Sequence, residues 1–237
     1  MTRNSVFILL FLLAIFLFFS FISAVPQGVD SINVTANETK SDVSGKKINI
    51  SGGYIATLNL TTTTKNTHWK AFVGWISGSF TLDDQSGSTI FDWGMSSVTG
   101  RVFATKNSTT PTWTSIECAD INDLNDENDY FNHTSANDNL NVTFNLTGTH
   151  ESFYVGTEPI TEDDCPTLNT YTNNQSDDDY WEEVALHDGS DIIYAALSEQ
   201  SEVGFDGNNY DFQMIVPEDA TPGSSTRTAY YLYIELD

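Results

Sequence analysis

Residues 139–147 read Asn-Leu-Asn-Val-Thr-Phe-Asn-Leu-Thr, and this alternation of apolar and polar side chains predicts a β-strand. Successive side chains of a strand point to opposite faces, so Leu140, Val142 and Phe144 would line one face. The other face would carry amides and hydroxyls, including two Asn-x-Thr glycan acceptor sequences that begin at Asn141 and Asn145. The stretch therefore predicts a half-buried strand whose outer face can carry sugar.

The same alternation recurs along the chain and predicts an all-β protein. Apolar residues alternate over 47–60 and 210–216, with glycine, asparagine and aspartate at the predicted turns between strands. Further strands are predicted at 113–118, 180–186, 191–197 and 226–236. The stretch 69–93 is apolar on both faces, which predicts a central strand and its partners. Roughly ten to thirteen short strands are typical of an antiparallel β-sandwich or jelly roll. Residues 120–129 break the pattern and predict a short helix or an ordered loop.

The amino terminus predicts export. Arg3 precedes an apolar run from Val6 to Phe19, and small residues follow as far as Ala24. This order is typical of a secretory signal peptide that is cleaved after Ala24. The run 6–25 is also long enough to span a bilayer as an uncleaved hydrophobic helix, so cleavage and anchoring both stay open.

These features divide the chain into three parts. Residues 1–24 are the signal peptide or membrane anchor, 25–46 are an extended leader segment, and 47–237 are a single β-sandwich domain. We expect an extracellular or cell-surface protein that touches the membrane only through residues 6–25, and only if that run is retained.

The charge of the chain argues against two classes of partner. The 33 acidic and 9 basic residues give a formal net charge of −24. Nucleic-acid binding depends on cations that contact phosphates, and docking on anionic lipid depends on basic patches. We therefore expect no nucleic-acid partner, and we interpret the acidic residues as a solvated surface.

Two cysteines, Cys118 and Cys165, are present. An exported chain reaches an oxidising compartment, where we expect the two to form a disulfide. Two buried free thiols are the alternative.

Asn-x-Ser/Thr acceptor sequences are frequent and unevenly distributed. They begin at Asn33, Asn37, Asn49, Asn59, Asn107, Asn132, Asn141, Asn145 and Asn174. Residues 177–237 contain none, so we expect this end to face the core, a neighbouring copy or the cell envelope.

Signatures of catalysis are missing from the sequence. No Gly-x-Ser-x-Gly elbow or glycine-rich phosphate loop occurs, and the four histidines lack metal-binding spacing. We expect neither an enzyme nor a cofactor. The acidic stretches 123–129, 177–179 and 206–208 leave Ca²⁺ binding open, although solvated loops are the favoured interpretation. The five tryptophans are interpreted as core residues, with a sugar-binding platform as the alternative.

Three stretches carry a resemblance to known proteins. The block 69–93, Trp-Lys-Ala-Phe-Val-Gly-Trp followed by Phe-Asp-Trp, and the segments 210–217 and 231–236 resemble exported archaeal cell-surface β-proteins whose function is not established. The resemblance implies an archaeal cell surface, and it implies no activity and no catalytic residues.

We therefore expect a glycosylated structural or adhesive cell-surface protein, such as an envelope or filament subunit. Its partners would be further copies of itself or other surface proteins. Strand donation between copies, through residues 26–46 or 226–237, is one form of such an assembly. A secreted carbohydrate- or Ca²⁺-binding β-sandwich module is the alternative.

Overall fold

The computed structural model describes residues 25–41, 43–49, 51–53, 55–95, 99–145, 149–176, 180–221 and 227–236. The predicted amino-terminal helix and signal segment, 1–24, lie outside these ranges. The strands are β1 (Gln27–Gly28), β2 (Trp69–Gly74), β3 (Ser79–Asp83), β4 (Thr89–Gly94), β5 (Gly100–Thr105), β6 (Glu117–Cys118), β7 (Phe153–Val155), β8 (Glu158–Ile160), β9 (Thr167–Asn169), β10 (Glu182–His187), β11 (Ile192–Ser198), β12 (Glu202–Val203), β13 (Asn209–Tyr210), β14 (Phe212–Pro217) and β15 (Tyr231–Leu236). The helices are a 3-10 turn at Trp113–Ser115, α1 (Ile121–Tyr130) and α2 (Leu140–Thr143).

One antiparallel sheet of seven strands organises the molecule. Its order is β1-β15-β5-β11-β10, and β9 and β6 share the outer edge of β10. Tyr194 at the middle of β11 lies opposite Ala104 of β5 and Ala185 of β10. All seven residues of β11 are buried, as expected for an apolar strand that is covered on both faces.

The two faces of this sheet enter two separate cores. Ile192, Tyr194 and Ala196 of β11 belong to one core, and the residues between them belong to the other. The first core is completed by β14, α1 and α2 through Met214, Val216, Leu124, Leu140 and Phe144. The second is completed by β7, β8 and the 3-10 turn through Phe153, Val155, Ile160, Trp113 and Ile116.

Four two-stranded antiparallel sheets accompany the large one: β2 with β14, β3 with β4, β7 with β8, and β12 with β13. The expectation of a mostly β, antiparallel protein is therefore confirmed. The finer expectation of a sandwich or jelly roll stays a prediction, because the described residues form one large sheet and four small ones.

The predicted helix or loop at 120–129 is the helix α1. Asp120 caps it, since its side chain accepts hydrogen bonds from the backbone N–H groups of Asn122 and Asp123. Asp123 returns a bond to the Asp120 N–H and completes a capping box. Leu124, Glu127 and Asn128 form the buried face of α1 at helical spacing.

The predicted strand at 139–147 is wrong. Asn139 caps the short helix α2, and Leu140 and Phe144 are both buried. A strand would bury Val142 with them, but Val142 is 65% exposed. The spacing of four between Leu140 and Phe144 fits both periods, and the cap and the core select the helical turn. Asn145 then bridges to Thr167, and 146–148 lie outside the described residues.

Three further strand predictions are corrected. The described part of 47–60 forms no strand and is exposed. Within 69–93, β2 is half-buried and pairs edge to edge with β14, but β3 and β4 are exposed along their whole length, so the central strand is β11 instead. Residues 113–118 begin as a 3-10 turn and are extended only at β6.

The carboxyl-terminal end supplies much of the core. This corresponds to the first of the three alternatives that the sequence left open for 177–237. β10, β11, β14 and β15 all come from this end, with 177–179, 222–226 and 237 outside the description. Because β15 already lies between β1 and β5 of its own chain, residues 231–236 are not free to complete a neighbour's sheet. Gln27 and Gly28 of the leader are likewise paired within the chain.

Candidate functional site

The surface carries an apolar hairpin that no other described strand joins. In the β3–β4 register Phe80 lies opposite Trp93 and Leu82 lies opposite Phe91, so the four side chains share one face. They are 42–56% exposed, and the Phe91 and Trp93 rings meet edge to face at 4.9 Å. Asp84 closes the turn by accepting hydrogen bonds from the N–H groups of Ser86 and Ser88. We call these residues, 79–94, the open hairpin.

A second segment, residues 40–65, precedes β2, and its described residues are exposed. We call it the arm. Nζ of Lys40 donates to the Thr63 carbonyl at 3.1 Å, and Gly53, with φ of +86°, lies at the turn between these two ends. Asn66 follows the arm and fixes its end, because Nδ2 of Asn66 donates to Oδ2 of Asp138 at 2.6 Å.

The large apolar residues that are described in the arm are exposed. Ile48, Ile55, Leu58 and Leu60 are 51–101% exposed. Its alternating sequence is that of a strand, but its described residues have no strand partner.

Two shallow grooves lie on either side of Arg227 and Thr228. One, of about 430 Å³, is lined by Lys106, Tyr130 and Tyr231 among others. The other, of about 600 Å³, runs between the leader and the sheet, with Ile32, Lys70 and Tyr230 in its walls. In the second groove the Thr228 hydroxyl donates to Oε1 of Glu218 at 2.7 Å.

A buried ionic cluster lies beneath the first groove. Nζ of Lys106 contacts Oε2 of Glu127 and lies 2.9 Å from Oδ1 of Asp191, above the Tyr130 ring. The Tyr194 hydroxyl donates to Oε1 of Glu127 at 3.1 Å. Burial raises the pKa of Glu127, and the Lys106 ammonium lowers it part of the way back. Burial alone would lower the pKa of Lys106, but the two carboxylates outweigh it and raise that pKa. The cluster joins β5, α1 and β11.

The nine predicted acceptor asparagines differ in accessibility. Seven are exposed: Asn33, Asn37, Asn49, Asn59, Asn132, Asn145 and Asn174. Asn107 and Asn141 are half-buried, and their amides are engaged, with Nδ2 of Asn107 donating to Asp191 and Nδ2 of Asn141 to Asn125. A glycan at either of these two would displace a hydrogen bond.

The predicted disulfide is formed between Cys118 and Cys165. It ties β6 to the segment before β9, on the side of the second core. His150 supports it, since the Cys165 N–H donates to Nε2 of His150 at 3.1 Å.

The acidic stretches do not converge on a cation. Stretch 123–129 lies on α1, where Asp123 caps the helix, Glu127 meets Lys106 and Asp129 accepts a bond from Thr134. Asp206 is satisfied by Asn208 and Tyr210, and 177–179 lie outside the description. In the part of the chain that is described, no group of three or more ligand side chains could hold a metal ion.

Folding brings together two histidines that are far apart in sequence. The rings of His68 and His133 are 5.5 Å apart, and Nδ1 of His68 lies 3.1 Å from Oδ1 of Asp138. His133 is buried and donates from Nε2 to the Glu218 carbonyl, and burial lowers its pKa. No spacing rule could have found this pair, because 64 residues lie between its members. The start of β2 has to meet the loop after α1 to join them, as the rings of Trp69 and His133 do at 5.7 Å.

The tryptophans divide between core and surface. Trp113 and Trp181 are buried, whereas Trp75 and Trp93 are exposed. The core interpretation therefore holds for the first two, and the sequence alone gave no means of separating the second two from them.

Comparison with known protein families, curated proteins and solved structures finds no significant match to this chain. Within the described ranges, no helix has both the length and the apolar character that crossing a bilayer requires.

Proposed function

We propose that this chain is an exported, N-glycosylated structural or adhesive protein of the cell surface, a subunit of an envelope layer or filament. The observation that carries the proposal is the Cys118–Cys165 disulfide, because such bonds persist in oxidising compartments and are rare in the cytosol. The apolar run 6–19 and the exposed acceptor asparagines support the same setting. An archaeal cell surface, as implied by the resemblance of 69–93, belongs to the proposal.

The sandwich is part of this proposal as well. It is supported by the β2–β14 sheet, which forms a second layer over β11 because Met214 and Val216 share a core with Tyr194. A layered β-protein with two cores and with most of its glycan acceptors on the surface is suited to a structural role.

Fractionation of native cells tests the proposal. We expect the protein in the envelope or secreted fraction, with a mature amino terminus at Val25 or a retained anchor, and with glycans on several of the seven exposed asparagines. Glycopeptide mapping and mass spectrometry of the mature terminus give the readout. A cytosolic, reduced and sugar-free chain that begins at Met1 would contradict the proposal.

A carbohydrate-binding module is the second candidate, and the exposed Phe91–Trp93 pair favours it. Aromatic faces on a surface are suited to stacking against sugar rings. Titration with soluble oligosaccharides, followed by tryptophan fluorescence, tests this candidate. A Trp93→Ala variant is the control, because it should abolish any true response.

A further inference from the structure

We propose that the arm of one copy docks on the open hairpin of a second copy and links copies head to tail. This inference rests on the proposed function, since it specifies how the surface subunits would contact one another. It names residues 40–65 as the donor and residues 79–94 as the acceptor.

The acceptor is a sheet with two open edges and one bare apolar face. An isolated two-stranded hairpin is only marginally stable in water, and a third strand or a covering layer is the usual remedy. Phe80, Leu82, Phe91 and Trp93 form a contiguous apolar face that is about half exposed. Faces of this kind on soluble proteins mark interaction sites.

The donor is a strand-type sequence, and within the described ranges none of its residues pairs with a strand. Leu58 and Leu60 alternate with Asn59, and Ile48 precedes Asn49. Added to an open edge, such a segment gains backbone hydrogen bonds and buries its alternate side chains. The asparagines of the arm that can carry glycans, Asn49 and Asn59, would then face away from the hairpin, so their glycans would stay in solvent.

The charges of the two segments are complementary. The arm contains four lysines and one aspartate, a formal charge of +3, in a chain whose net charge is −24. The open hairpin contains Asp83, Asp84 and Asp92 and no basic residue, a charge of −3. Copies with so large a net charge repel each other, so an attractive contact needs a locally basic segment, and the arm is where four of the nine basic residues lie.

Donor and acceptor are separate surfaces of one copy. The arm ends beside Asp138 at the start of β2, and the open hairpin follows the far end of β2. The six residues of β2 separate the two by roughly 17 Å along the strand. Because donor and acceptor are different surfaces of the chain, each copy can give and receive once, which produces an open, heterologous chain of subunits.

A charge swap in the full secreted chain tests the contact. Lys46→Glu with Lys47→Glu should weaken self-association about ten-fold or more in low salt, and Asp83→Lys with Asp92→Lys in the partner should restore it. Lys70→Glu with Arg227→Glu is the matched control, because it makes the same change of charge at exposed sites outside the arm. Sedimentation velocity across a concentration series gives the association, and an unchanged melting temperature shows that each variant is folded.

Cross-linking identifies the partners directly. A Leu60→Cys copy mixed with a Phe91→Cys copy should give intermolecular cross-linked dimers with a short bifunctional reagent. A monomer at every concentration, cross-links confined to one chain, or association that ignores the charge swap would overturn the inference. So would a hairpin variant, Phe91→Ala with Trp93→Ala, that loses oligosaccharide binding and keeps association. None of these outcomes touches the proposed function, which depends on the location and glycans of the native protein.

Discussion

Lys106 is a buried ammonium in a chain with only nine basic residues. Its side chain is 13% exposed and the Glu127 side chain is 3% exposed, so solvent screens this pair little. Removal of one member of a buried pair leaves the other charged and unsatisfied. The cluster is therefore a point at which a single substitution reaches β5, α1 and β11 together.

Lys106→Met should lower the free energy of unfolding by about 3–5 kcal/mol, because Glu127 is left buried without its cation. Urea denaturation followed by tryptophan fluorescence measures the loss. The double variant Lys106→Met with Glu127→Met should recover most of it, since both charges are gone. Equal losses in the single and double variants would show that the ion pair is not the cause.

Glu182 makes the stability depend on pH. Burial, with repulsion from Glu151, Glu199 and Asp163, raises its pKa from 4.5 to about 7. Since the pKa is higher in the folded protein than in the unfolded chain, protonation of Glu182 favours folding. Its contribution is complete below pH 4.5 and is lost as the pH rises through about 7.

We therefore expect the melting temperature of the native chain to rise between pH 8 and pH 5, and Glu182→Gln to flatten that rise. The amide keeps the shape of the side chain and cannot ionise. Differential scanning calorimetry at intervals of pH gives the two curves. Parallel curves for the variant and the native chain would contradict the assignment to Glu182.

At the scale of elements, α2 shows how one sequence can satisfy two periods. Phe144→Ala should cost about 3–5 kcal/mol, the usual loss for a buried aromatic side chain. Val142→Ala, the matched control, should cost less than about 0.5 kcal/mol because Val142 is exposed. Equal costs at both positions, measured by chemical denaturation, would restore the strand that the alternation suggests.

The strands that sequence predicted well are those whose burial is decided within the large sheet. The stretch 191–197 is predicted as a strand and forms β11, and an aspartate such as Asp120 is a preferred residue type at the start of a helix. The failures share a physical cause. Period two says that one face of a segment is apolar, but it does not say that anything covers that face.

The arm and the open hairpin are the clearest examples of this limit. Leu58 and Phe91 have the neighbours of buried strand residues, and yet the fold leaves both in solvent. Which apolar face is covered depends on long-range packing, such as that of β14 on β11, and no local pattern contains that information. The candidate site was therefore missed from sequence, even though each of its segments was recognised as strand-like.

At the scale of the whole molecule, the disulfide closes a loop of 46 intervening residues. The chain-entropy model gives a stabilisation of about 4 kcal/mol for a loop of this size. Cys118→Ala with Cys165→Ala should lower the free energy of unfolding by up to about that amount, as measured by urea denaturation without reductant. A reduced native chain that unfolds at the same midpoint as the oxidised one would contradict the estimate.

The same bond sets how far a subunit can be pulled out. If a filament is stretched and one subunit unfolds, the disulfide prevents the residues between Cys118 and Cys165 from extending. At about 3.5 Å per residue, these residues represent roughly 160 Å of contour length. In single-molecule force spectroscopy, the extension gained when one subunit unfolds should increase by about this amount once the disulfide is reduced. The crosslink would thus act as a stop that keeps an overloaded subunit short enough to refold.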